Sequence, residues 1–212
     1  MPNLVLLGDS ILDNEAYTGG GPAVIDQVRA CLPQSWHATL LAVDGSTTAD
    51  VDAQLRRLPN DASQLALSVG GNDALQRSDI LNSRVATSAE ALSLLHGVVR
   101  RFEANYRSML AACVAPKLPL LVCTIYNGNF PDRHYQDCVT VALTAFNDVI
   151  IRAAADHDLQ VLDLRSVCST ARDYANTIEP SSRGGEKIAS AILEIVMGPR
   201  KRLSAGRLYA YQ

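Results

Sequence analysis

Short apolar runs, each closed by a glycine or a polar loop and followed by a helical pattern, constrain this 212-residue chain more than any other feature. Residues 4–7, 37–43, 65–69, 119–124 and 160–164 form five such runs. Helical spacing of apolar positions fills 22–31, 49–58, 85–114, 139–156 and 181–197 between and after them. Strands that are apolar along their whole length need cover on both faces, and alternation with helices supplies it. The expectation is an α/β fold: a five-stranded parallel sheet in a three-layer α/β/α sandwich. No repeat or Pro/Gly/Ser-rich linker divides the chain, so one domain is expected over residues 1–198. Residues 199–212 form a basic tail with Arg200, Lys201, Arg202 and Arg207, expected to be a solvated terminus.

The formal net charge is −3 and aromatic residues make up 5%. Neither a basic footprint nor a stacking platform for nucleic acid is present, and no nucleic-acid partner is expected. No apolar run is read as reaching the ~20 residues that span a bilayer. The first strand starts almost at Met1, without a charged and apolar leader, and the five cysteines are odd in number with no CxxC pairing. A cytoplasmic protein with reduced thiols is the expectation. No His/Cys/Asp cluster has metal-ligand spacing, so no metal or other cofactor is implied.

The polar residues sit at the strand exits. Residues 4–7 run into Gly8-Asp9-Ser10, the second strand into Asp44-Gly45-Ser46, and the third into Gly70-Gly71-Asn72-Asp73. In an open parallel sheet the ligand crevice lies beyond the carboxyl ends of the strands, so these loops are expected to meet there. Ser10 offers a hydroxyl displayed on a fixed backbone, as a nucleophile requires. Its own N–H, the N–H of Gly45 and the side-chain amide of Asn72 are donors that suit the oxyanion of acyl transfer. Each group also has a plainer role: Asp9 or Ser10 as a helix cap, Gly-Gly-Asn-Asp as a turn. Asp9 and Asp73 are read as structural, bonding loop N–H groups.

Gly8-Asp9-Ser10-Ile11 with Asp13-Asn14, then Gly45, then Gly70-Gly71-Asn72-Asp73, resembles the successive blocks of the SGNH hydrolases, the GDSL esterase and lipase family. The resemblance covers nearly the whole chain and implies strand order 2-1-3-4-5 and cleavage of carboxylic esters. It also implies Ser10 as nucleophile, with Ser10 N–H, Gly45 N–H and Asn72 as the oxyanion hole. The family's fourth block, Asp-x-x-His before the last helix, departs here. The chain reads Asn176-Thr177-Ile178-Glu179-Pro180, with Glu179 in the place of the histidine and Asn176 in that of the aspartate.

Three readings follow. Glu179 takes the proton of Ser10, oriented by Asn176, which can hold a carboxylate without repelling it. Alternatively His134, after the fourth strand, reaches into the site. In the third, hydrolysis is lost and the fold binds a small ligand or a protein partner. A serine esterase with an atypical Ser–Glu pair, acting on a small-molecule ester, is the function expected. The loops 15–21 and 127–134, with Tyr17, Tyr126 and Phe130, are expected to wall the pocket.

Overall fold

The computed structural model describes residues 1–198 and the backbone of 207–210. The strands are β1 (Asn3–Gly8), β2 (His37–Leu40), β3 (Ala62–Ser68), β4 (Leu120–Cys123), β5 (Gln160–Asp163) and β6 (Arg207–Ala210). They form one parallel sheet in the order β2-β1-β3-β4-β5-β6. The expected five-strand core in order 2-1-3-4-5 is present. The tail adds a sixth strand, pairing Gln160 with Arg207 through Asp163 with Ala210. A wholly solvated terminus is therefore corrected for 207–210: backbone pairing at a sheet edge needs no apolar run. Arg200, Lys201 and Arg202 lie outside the described residues.

Among the described residues there are seven α-helices, α1 (Val24–Cys31), α2 (Val51–Leu55), α3 (Gly71–Leu75), α4 (Ser88–Val114), α5 (Arg133–Ala155), α6 (Leu164–Val167) and α7 (Ser182–Met197), and three short 3-10 helices at Glu15–Tyr17, Ser78–Asn82 and Ala171–Asp173. Pleating explains the continuous apolar strands. In β1, Leu4 and Leu6 face a core shared with α1 and α7, while Val5 and Leu7 face a second core shared with α4 and α5. Helix α5 begins at Arg133, six residues before the sequence pattern places it, because Asp132 caps it by accepting the Tyr135 N–H at 3.0 Å. The reading that no run approaches membrane-spanning length is also corrected. Arg133–Ala155 is 23 residues with a mean hydropathy of 1.5, long and apolar enough by length and composition. Here it lies against the sheet, with Phe146, Val149 and Ile150 in the second core.

Two devices fix the exit of β1. Gly8 has φ +126°, and a Cβ there would stand 1.7 Å from the Ser68 carbonyl oxygen, which accepts the Asp9 N–H. Only glycine lets β1 and β3 end this close together. Buried Gln54 of α2 then accepts the Gly8 N–H and donates to its C=O, both at 2.8 Å. Gln54→Ala orphans the Gly8 N–H, while the Gly8 carbonyl keeps the Val43 N–H, so about 1–3 kcal/mol of stability should be lost, read by urea unfolding.

Candidate active site

Ser10 follows immediately on this clamp, in a single helical turn closed by Leu12 and Asp13 N–H bonds to the Asp9 carbonyl. It is buried, as is Glu179. The Ser10 hydroxyl lies beside the Glu179 carboxylate and favours its ionised form, and Oε2 of Glu179 is buried without any partner. Burial pushes the Glu179 carboxyl above its ordinary pKa, helped by the nearby Asp44; the Ser10 hydroxyl partly opposes this.

The Glu179 segment is held from three sides. Asn14, fully buried, donates to the Pro180 carbonyl and accepts the Val24 N–H. Tyr126 donates to the Ile178 carbonyl, and the Asn129 N–H to that of Thr177. Asn176 acts differently from its expected part as a partner of the carboxylate. Its exposed side chain accepts the backbone N–H groups of Ile178 and Glu179, both at 2.9 Å, so it holds Glu179 through the main chain. An asparagine three residues before Glu179 is placed to close that turn.

The loops of the first three strands meet. Asp13 accepts the Asp44 N–H, joining the first to the second. Asn72 donates to the Ser46 carbonyl at 2.9 Å, and Asp73 accepts both N–H and hydroxyl of Thr48, joining the second to the third. An amide NH2 has two hydrogens, so the Ser46 bond fixes Asn72 and leaves a second donor to act. Gly45 is exposed at the third position of the turn from Val43 to Ser46, with φ +79°. The turn demands glycine there.

A cavity of about 110 Å³ opens beside Ser10 and is lined also by Asp9, Asn72, Tyr126, Phe130 and Glu179. Gly45, Asn176 and Tyr17 do not line it; the Tyr17 hydroxyl donates to Asp44. His134 is exposed in the first turn of α5, and none of the four histidines reaches the cavity.

The family model of GDSL-like lipases and acylhydrolases matches residues 6–186. This chain belongs to that family. The GDSL fold is repeated in solved structures of low sequence identity. A lipase from Streptomyces rimosus is 17% identical with a TM-score of 0.67, the alignment covering 91% of this chain and 98% of that one. A phospholipase A1 from Streptomyces albidoflavus is 18% identical at a TM-score of 0.66, covering 90% and 97%. An acetyl xylan esterase from Geobacillus stearothermophilus is 18% identical at 0.63, covering 95% and 97%. A comparison with curated protein sequences finds no match.

Asp9, between the family's first glycine and its serine, is almost fully buried in this GDSL chain. Its Oδ1 accepts the Ile11 N–H, the bonding to a loop that its position suggests. Burial raises its pKa to about 8 against that bond, and the negative fields of Glu179 and Asp73 add to the rise. At neutral pH the site therefore holds a neutral carboxylic acid next to Glu179.

Most of the cavity wall was missed by sequence reasoning. It comes from the stretch after Asn72, including Ile80 and Leu81, and from Leu95 and Val98 of α4 and Val139 and Leu143 of α5. Those positions follow the same helical period as core residues, so no signal set them apart.

Proposed function

We propose that the protein hydrolyses carboxylic esters through a Ser10 acyl-enzyme, with Glu179 as the proton acceptor. The observation that carries this is the buried Ser10 hydroxyl beside the buried Glu179 carboxylate in a cavity that no histidine lines. Ser10 Oγ attacks the ester carbonyl and its proton passes to Glu179. The oxyanion is stabilised by the Ser10 N–H and the second hydrogen of the Asn72 amide. Collapse expels the alcohol, which takes the proton from Glu179; water then attacks the acyl-enzyme by the reverse proton path. A glutamate base becomes neutral rather than cationic on accepting the proton, so it needs no acid behind it, unlike histidine. Its raised pKa makes it a better base than a free glutamate.

Hydrolysis of p-nitrophenyl butyrate across pH 4–9 tests this. Activity should appear as pH rises through an ionisation above the ordinary carboxylate range, and a fluorophosphonate should label Ser10. A parent no faster than Ser10→Ala at every pH, and unlabelled, would leave a binding protein on this fold. Because Asn176 acts through the main chain, Asn176→Ala should lower kcat/KM by no more than about tenfold, the loss of one or two ordinary hydrogen bonds.

A further inference from the structure

We propose that the cavity beyond Ser10 is an acyl-chain pocket, making the preferred substrate an ester of a linear, uncharged medium-chain fatty acid, and that Ala142 sets how much chain it accepts. The proposal rests on the Ser10 esterase reading above and names its substrate class. The strand-exit loops and the segment before α7 bring polar groups to the lining: Ser10, Asp9, Asn72, Thr124 and Glu179. The lining from α4 and α5 is apolar apart from Tyr135, with Leu95, Val98, Val139 and Leu143. Arg77 is the one cation lining it, and it lies 3.7 Å from Asp79. An unbranched hydrocarbon suits such a wall, which offers a carboxylate or sugar hydroxyl few partners at depth.

The position of the base assigns the chain to the acyl side. Glu179 reaches Ser10 from the segment before α7, on the sheet face shared with α1. The apolar part of the cavity lies on the opposite face, between α4 and α5. The leaving alcohol must take its proton from Glu179 and so departs on that side, and the carbonyl substituent points into the α4–α5 side. An acetyl methyl is about the size of one water, which takes up ~10–15 Å³ of cavity volume measured this way. It would leave most of the 110 Å³ unfilled. Each further buried methylene is worth about a fourfold gain until the pocket is full. Ala142 is half-buried on α5 and lines the wall one residue before Leu143, so a phenyl group there would occupy the chain's path.

Four measurements test this. For the parent, kcat/KM on p-nitrophenyl esters should rise about a hundredfold or more from acetate to octanoate, several fourfold steps compounded. Ethyl octanoate should be cleaved faster than its isomer octyl acetate. Ala142→Phe, its fold checked by thermal melting, should lower the octanoate-to-acetate ratio tenfold or more. Calorimetry should show Ser10→Ala binding octanoate. An acetate preference in the parent with no octanoate binding overturns the pocket while the esterase stands. Octanoate binding to Ser10→Ala with no hydrolysis of any ester by the parent leaves the pocket standing and overturns the catalytic reading. Faster cleavage of octyl acetate overturns the acyl-side assignment. If Ala142→Phe fails to fold, the parent's chain-length series and the binding measurement decide.

Discussion

Glu179→Gln should lower kcat/KM for a short-chain ester by about a thousandfold, within the range that a positioned general base contributes. The amide matches the carboxylate in shape and can accept a hydrogen bond from Ser10, so the loss isolates proton transfer. Ser10→Ala should be at least as damaging, and the double variant little worse than either, because the two groups act as one unit. The pH profile is the sharper readout. With Glu179 as the proposed base, its ionised form is the active one, and burial moves that ionisation upward. Activity should therefore rise with pH through that raised value, and whatever remains in Glu179→Gln should lack this rise. Retention of more than about a tenth of the parent's activity would place the base elsewhere, since even a weak general base gives about a hundredfold.

Ser10 and Asn72 are legible in the sequence for one physical reason. Each sits in glycine-rich punctuation after an apolar run, and a parallel sheet gathers all its strand exits at one edge. Glu179 is legible only through the resemblance to the family's block before the last helix. Gly45 and Asn176 are legible as positions but not as contacts. Gly45 satisfies a turn with positive φ, and Asn176 binds main-chain N–H groups three residues on. Pattern alone cannot tell a backbone requirement from a catalytic one. The cavity is harder still: Leu95, Val98, Val139 and Leu143 look like core residues because they face the interior. Whether that interior is packed or hollow depends on how α4 and α5 meet, which no local period encodes. The start of α5 was missed because Asp132 follows Pro131 in what reads as a polar loop, and its capping bond decides the boundary. Strand β6 was missed because its basic and aromatic residues follow no apolar run.

Asp9 lets the same burial be read through stability. The groups facing it are Glu179, Asp73, Tyr126 and Cys123, with no cation among them. Its folded pKa of about 8 stands above the 3.8 of an unperturbed aspartate. The folded protein thus keeps a proton that the unfolded chain gives up. A raised folded pKa contributes stability that is complete below the unfolded value and is lost as pH climbs through the folded one. Between pH 5 and 8 the loss from Asp9 alone is on the order of 3 kcal/mol, at about 1.4 kcal/mol per pH unit. Glu179 acts in the same direction. The lowered carboxyl groups of Asp163 and Asp173 give stability that is already complete above the ordinary carboxylate range, so they do not offset it in this window. Asp9→Asn retains an acceptor for the Ile11 N–H and has no charge to release. Urea unfolding at pH 5, 6.5 and 8 should therefore show the parent losing stability steadily and the variant losing distinctly less, so that the two curves diverge towards pH 8. Parallel curves would mean that Asp9 is already ionised in the folded protein at neutral pH. Two carboxylates beside Ser10 would then repel each other, and Glu179 would be left a still more reluctant anion, its ionisation pushed further up.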